Sequence, residues 1–295
     1  MSGLIAMTAA DLAGRLNLEK YPRSWRGTCP SCDYGRVFSV KAGRDHRPLV
    51  YCANGCTGDA LAETLERCFG EAWIPKPKAS EQDEAAKRHK SGLDAIKIWD
   101  GSTAAPNTLA DRYLTCRALP GLAASLALRF RGDCHHPEQR GRYPALVALV
   151  QDVAGKPVAV HRTYLAPGGH KAAMEPPKAS KGSVWGGAIR LDAEAPEIVI
   201  GEGIESSASA GRRLNLPCWA ALSAGNMARG LILPPSVRAV VVAADADQVG
   251  NKAAEAAAER WRAEGRRVRI ARPDRPGMDF NDILIMRTEA QQNAA

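Results

Sequence analysis

Residues 239–250 read AVVVAADADQVG. Val240, Val241 and Val242 form an unbroken β-branched run with small apolar residues around it, the composition of a strand buried on both faces. The run ends on Asp245 and Asp247. A buried strand that carries two carboxylates to its tip is placing them for chemistry, and metal binding is the chemistry that needs such delivery. A second reading stays open for Asp247, which precedes a helical pattern at 249–264 and can cap it.

The sequence on either side repeats the arrangement. EIVIGEG (197–203) carries Glu202 to its end, and RVRIAR (267–272) leads into GMDFND (277–282), with Asp279, Asn281 and Asp282. Helical spacing fills 205–214, 249–264 and 279–287. Alternation of strand and helix at this pitch predicts a parallel sheet covered on both faces. Parallel strands all finish at one edge, so Glu202, Asp245, Asp247, Asp279 and Asp282 are expected together at the carboxyl end, where open α/β sheets hold their sites. Several carboxylates cannot share a small space ionised unless cations neutralise them. Oxygen donors select Mg²⁺ or Mn²⁺, usually with nucleotide phosphates completing the shell.

The first third has a different chemistry. Cys29-Pro-Ser-Cys32 is followed, nineteen residues on, by Cys52-Ala-Asn-Gly-Cys56. Two short-spaced thiol pairs separated by the length of a β-hairpin predict a zinc ribbon with Cys29, Cys32, Cys52 and Cys56 as tetrahedral Zn²⁺ ligands. The second pair is one residue wider than usual, which leaves His46 as a minor substitute. Cys68 reads as part of a helix's apolar face, and Cys218 as a small hydrophobe at the start of a strand.

A 295-residue chain with 45% apolar and 24% charged residues is long enough for two or three modules. The expected division is a zinc-ribbon DNA-binding domain over 1–75, a polar linker over 76–95, a basic α+β part over 96–190 and the parallel-sheet domain over 191–295. Thr8 and Asp11 open a short N-terminal helix with capping-box spacing, and a second helix starts near Asp59. TLADRYLTCRAL (108–119) is helical in spacing, while 143–152 and 157–165 read as strands joined by a turn. Without a bilayer-length apolar run or a basic-then-apolar leader, the expectation is a cytoplasmic protein with reduced thiols and no membrane contact. The net charge of +8, from 40 Lys+Arg against 32 Asp+Glu, suits a polyanionic partner.

These motifs carry a family resemblance. RGTCPSCDYGRVFSV (26–40) and YCANGCTGDALAETL (51–65) are similar to the zinc-binding domain of DnaG-type primases, although Cys32 stands where that family commonly has histidine. EGIES (202–206), DAD (245–247) and DFND (279–282) resemble the Toprim signature, with Ser206 and Asn281 standing where DnaG-type enzymes have aspartate. That variant resembles the Toprim of primase-like proteins from phages and mobile elements. TLADRYLTCRAL, GRYPALVALVQDVAGKPVAVHRTYL (141–165) and PPKAS (176–180) resemble the primase core between the two.

The resemblance implies a DNA primase: a template-directed nucleotidyltransferase making short RNA primers from nucleoside triphosphates on single-stranded DNA. It implies Asp245, Asp247 and Asp279 as Mg²⁺ ligands, with Glu202 as ligand or general base. It also puts Arg142, Arg162 and Lys178 on basic positions that face the carboxylates and bind nucleotide or template, with Arg162 and Lys178 counted among the catalytic residues. No G-x-x-x-x-G-K-[ST] loop is present, so unwinding would come from a separate replicative helicase. Two other readings of the same motifs are a Toprim nuclease and a non-enzymatic zinc/Toprim recombination scaffold.

Overall fold

The computed structural model describes residues 7–43, 47–70, 81–245, 247–275 and 277–293; His46 lies outside them. The chain divides into two units, Met1–Glu84 and Ala85–Ala295.

In the first unit, helix α1 (Ala9–Arg15) begins with the reciprocal cap that the sequence implies. The Thr8 side chain accepts from the Asp11 amide, and the Asp11 carboxylate accepts from the Thr8 amide at 3.0 Å. Strands β1 (Glu19–Tyr21), β2 (Ser24–Gly27), β3 (Phe38–Ala42) and β4 (Pro48–Cys52) then form an antiparallel sheet in sequential order. Helix α2 (Gly58–Phe69), capped by Thr57, closes the unit over Leu12, Phe38, Val40, Leu61 and Leu65. That apolar core is small, so ligation at the cysteines has to supply part of the stability. Cys68 corrects the sequence reading: it is exposed on α2, and Leu61 and Leu65 alone are that helix's buried residues.

Helix α3 (Glu81–Asp100) runs through most of the segment read as a linker. Its Ala, Glu, Gln and Lys content favours helix intrinsically. Among its described side chains only Ala95 and Trp99, one turn apart, are buried, against Val147, Val160 and Tyr164 of the neighbouring sheet. Burial confined to the last turns explains why the earlier part shows no apolar periodicity.

The sheet under α3 contains β5 (Thr103–Ala104), β6 (Leu128–His135), β7 (Arg142–Gln151), β8 (Pro157–Ala166), β9 (His170–Lys171) and β10 (Lys178–Gly182). Its order is β10-β8-β7-β6-β5, all antiparallel, with β9 also on β8. Helix α4 (Leu109–Cys116), capped by Thr108, packs on it through Ala110, Tyr113 and Leu114.

The last part is the alternating pattern made real. Strands β11 (Ile189–Arg190), β12 (Glu197–Gly201), β13 (Cys218–Ala220), β14 (Ala239–Ala243) and β15 (Arg267–Ala271) form a sheet of order β11-β13-β12-β14-β15. The four strands after β11 are parallel, and β11 is an antiparallel edge that begins before the expected boundary at 191. Helices α5 (Ile204–Leu214), α6 (Gln248–Ala263) and α7 (Phe280–Asn293) cover it. All five residues of β14 are buried, each valine contributing about 1.5–3 kcal/mol of transfer free energy. Within this unit one core runs from Tyr113, Leu114, Leu146 and Ile189 to Val199, Val241 and Phe280. Among the described residues, no helix is long and apolar enough to cross a membrane.

Candidate metal centres

The four cysteines come together in the first unit. Cys29 and Cys32 follow β2, Cys52 ends β4, and Cys56 sits just before α2. The chain turns at each pair: Asp33 donates its amide to the Cys29 carbonyl at 2.9 Å, and Gly55, at φ +82°, donates to the Cys52 carbonyl at 3.2 Å. A side chain at that φ is strained, so glycine suits the wider second knuckle. The sulfurs of Cys29 and Cys56 lie 3.9 Å apart, and those of Cys32 and Cys52 3.8 Å. Tetrahedral Zn–S bonds of about 2.3 Å put sulfurs about 3.8 Å apart. The residues fit zinc.

The thiols are electrostatically interdependent. A hydrogen bond from Cys52 pulls the Cys29 thiol down to about 5, with the Ser31 and Cys32 amides helping, and the Cys52 thiol is pushed up in return. Burial lifts Cys56 to about 11. Four thiolates at this spacing need a cation. Asn54 adds a side-chain amide hydrogen bond to Cys32 Sγ at 3.5 Å.

In the second unit, Gly201, Ala243 and Ala271 pair side by side across β12, β14 and β15. The acids follow from this common edge. Glu202 succeeds β12 directly, and its carbonyl accepts from the Leu222 amide at 2.8 Å. Asp245 follows β14, and Asp279 lies beyond β15. Close packing fixes the edge: a Cβ on Gly250 would stand 2.8 Å from the Asp245 carbonyl oxygen, and one on Gly201 2.7 Å from Ser207 Oγ. Only glycine lets α6 and α5 approach so near.

Burial, then the charge of Asp279, pushes the Asp245 carboxyl up to about 6. The Ser206 hydroxyl, donating to Asp245 Oδ1 at 3.1 Å, opposes that shift, and Asp247 and Asp282 add to it. Asp245, Asp247, Asp279 and Asp282 are therefore one electrostatic group. They are not drawn into a tight ligand set. Among the described residues only the four cysteines bring three or more metal-ligating side chains within 4.8 Å of one another.

The capping reading left open for Asp247 holds. The residue is the N-cap of α6, with Oδ1 accepting from the Gly250 amide at 2.6 Å. That cap uses one of two carboxylate oxygens. Asp279 and Asp282 cap α7 in the same way: Asp279 Oδ1 accepts from the amides of Asn281 and Asp282 at 2.7 and 2.9 Å, and Asp282 Oδ2 accepts from the Asp279 amide at 3.2 Å. Asn281 is fully buried and donates to the Arg117 carbonyl and Ser209 Oγ. It ties α7 to α4 and α5.

The basic residues divide. Lys178 pairs with a buried acid: its Nζ is 3.3 Å from Glu205 Oε2. Arg142 is exposed and pairs with Asp133 at 3.1 Å. Arg162 does not face the carboxylates. Its buried guanidinium donates to the carbonyls of His135, Ser180 and Ala179, so it ties strands together, and the catalytic and nucleotide-binding role expected of it is corrected. Strand alternation gives the reason. Arg162 follows the parity of Val160 and Tyr164, which face α3, and so lies on the opposite side of the sheet from Ala159 and Leu165 of the main core.

Sequence reasoning missed a second cluster. Glu205 is 4% exposed. Burial alone would raise it, but the charges of Lys178 and Lys171, with the Tyr113 hydroxyl, hold it well below the usual carboxylate range. Tyr113 donates to Oε1, and Lys171 Nζ lies 4.0 Å from the same oxygen. Nearby His161 is pushed down to about 3 by burial and then by Lys178, and shares a 2.9 Å hydrogen bond with Ser180 Oγ. Tyr113 was visible within TLADRYLTCRAL. Lys171, on a two-residue strand, leaves no periodic signal.

Residues 197–290 match the Toprim domain, and residues 89–191 match a domain of unknown function, DUF7146. The zinc-binding and RNA polymerase domains of Aquifex aeolicus primase superpose with a TM-score of 0.50 at 16% identity, over 98% of this chain and 82% of that one. The chain has the architecture of a DnaG-type primase. A DnaG catalytic domain solved bound to single-stranded DNA is similar over 72% of this chain and 83% of its own, at 17% identity and a TM-score of 0.48. A primase domain from Pseudomonas aeruginosa is similar over 56% of each chain, at 19% identity and a TM-score of 0.37. No curated protein matches by sequence.

Proposed function

We propose that the protein is a DNA primase that makes short RNA primers on single-stranded DNA. The observation behind this reading is the shared edge of the parallel sheet, where the charges of Asp279, Asp247 and Asp282 act on Asp245 and that of Asp279 acts on Lys171. Asp245, Asp247 and Asp279 would hold Mg²⁺ or Mn²⁺, with Asp282 and Glu202 beside them. Such an ion supplies charge stabilisation at the reacting phosphate and alignment of the attacking oxygen.

The chain's own residues do the rest. The oxygens of Asp247, Asp279 and Asp282 left over from the helix caps, and Asp245 Oδ2, would be acceptors for a cation. Glu202 would act as ligand or as general base toward the 3′-hydroxyl. Lys178 gives the triphosphate a positive partner. Arg142 would exchange its exposed partner Asp133 for a template phosphate, a contact that weakens with salt. The zinc ribbon would hold single-stranded template, and strand opening would fall to a separate helicase.

The test is incubation with labelled nucleoside triphosphates, single-stranded DNA and Mg²⁺ or Mn²⁺, with products sized on a gel. Labelled oligomers longer than a dinucleotide are expected. Shortened DNA would replace this reading with a Toprim nuclease, and retained DNA binding without either product would replace it with a scaffold.

A further inference from the structure

Glu205 gathers side chains from three other elements. Its Oε2 lies 3.3 Å from Lys178 Nζ on β10; its Oε1 accepts from the Tyr113 hydroxyl on α4 and lies 4.0 Å from Lys171 Nζ on β9. Strand register explains the meeting. Lys178 stands opposite Thr163 and Lys171 opposite Leu165, so both lysines fall on the face of β8 that Leu165 turns toward the main core and α4.

The cluster is uneven in charge and in exposure. Among the described residues neither lysine pairs with another carboxylate, so two ammonium groups share one negative charge. The Glu205 side chain is 6% exposed, whereas those of Lys171 and Lys178 are 38% and 31% exposed. A buried ion pair is a weak stabilising device, because desolvation offsets its attraction. Here the carboxylate is desolvated, and the excess positive charge is the part left open to solvent. The same turn of α5 reaches the acidic edge. Ser206, next in the chain, donates to Asp245 Oδ1 at 3.1 Å. Ser209 Oγ donates to the Glu205 carbonyl at 2.8 Å and accepts from the Asn281 side chain at 2.9 Å, and the Asn281 backbone amide donates to Asp279 Oδ1 at 2.7 Å.

We propose that Glu205 is a positioning residue, which fixes the Lys171 and Lys178 ammonium groups as a paired site for the phosphates of the incoming nucleoside triphosphate. A lysine is a point charge on a flexible stem, so its use as a phosphate partner depends on what holds it. Glu205 stands one residue off the acidic motif position, and Lys171 belongs to no motif. The choice of a triphosphate rests on the nucleotidyl transfer proposed above; the phosphate site is tested apart from it.

Full-length, zinc-loaded protein is titrated with inorganic tripolyphosphate by calorimetry, without Mg²⁺ or template. Lys171→Gln should weaken binding about tenfold or more, the effect of one lost charge-assisted contact. Glu205→Gln separates the explanations by sign. It raises the excess positive charge of the cluster from one to two, so charge alone would tighten phosphate binding. Loss of positioning weakens it instead, by about tenfold, because the ammonium groups must then be ordered by the ligand. Glu205→Asp keeps the charge and withdraws it by one methylene; weaker binding is expected there too, and this variant is read where Glu205→Gln does not fold. Tighter or unchanged binding in a folded Glu205 variant would overturn the positioning role. Unchanged binding in Lys171→Gln would overturn the part given to Lys171, and a wild type that binds no tripolyphosphate would overturn the site. Binding that responds as expected, in protein that makes no primers, would support the phosphate site and overturn the proposed reaction alone.

Discussion

Asp245→Asn, in protein holding no divalent cation apart from the ribbon's zinc, should stabilise the unit Ala85–Ala295 at neutral pH. Burial and then the charge of Asp279 raise the Asp245 carboxyl from its ordinary 3.8 to about 6. A carboxyl with a raised folded pKa binds its proton more tightly in the folded state, so ionising it costs stability. The cost is absent below the unfolded value, grows between 3.8 and about 6, and is complete above that. A shift of about two units corresponds to about 3 kcal/mol. That is an upper figure, because the 3.1 Å bond from Ser206 to the carboxylate is weakened in the variant. For a unit of this size each kcal/mol moves the melting midpoint by about 2–4 °C, so the gain reaches up to roughly 6–12 °C at about pH 7.5. The assay is differential scanning calorimetry from about pH 4 to about pH 7.5, with and without Mg²⁺. The gap between variant and wild type should open as pH rises and narrow when Mg²⁺ neutralises the wild-type cluster. A variant that melts lower at neutral pH, or a gap indifferent to pH, would refute the reasoning.

Cys29→Ser should abolish tight zinc binding and unfold the first unit, since its small core relies on the ligated metal; elemental analysis and proteolysis check this. Asp247→Ala should cost about 0.5–2 kcal/mol through the lost α6 cap and also stop primer synthesis, and loss of stability with full activity would leave Asp247 a cap alone. Arg162→Met should destabilise by roughly 1–3 kcal/mol for each carbonyl left without a partner. Lys178→Met should lower synthesis with a smaller loss of stability, its effect shrinking as salt rises. Glu205→Gln should destabilise at neutral pH by leaving two lysines facing one another, and the wild-type contribution should survive acidification below the ordinary carboxylate range before it is lost.

The strand tips were legible because a run such as AVVVA has few places to go except a doubly covered sheet, and a parallel sheet fixes which end its acids share. The cysteine spacing was legible because tetrahedral thiolate geometry dictates it. What escaped was set by tertiary contact. Glu205 is one residue from the motif position, and only the turn of α5 decides that it faces Tyr113 and the lysines while Ser206 faces Asp245. Lys171 depends on how β9 folds back on β8. Arg162 was assigned by likeness, and alternation along β8 sends it to the other side. Helix α3 hid because so little of it is buried.

The stretch 192–196 between the two matched domains is a seam in sequence but not in the fold. Asp192 accepts from the Cys218 amide, and the Pro196 carbonyl accepts from Arg238 and Ala239, so the connecting chain is bonded into the sheet it leads to. The core beneath it draws side chains from both flanks, and β11, which lies before the seam, is an edge of the parallel sheet. A protease cut here would leave two pieces held by their shared interior. A Toprim half exchanged for that of another protein would arrive without the Tyr113, Leu146 and Ile189 surface that its helices and strands need, so the two halves are bound to change together.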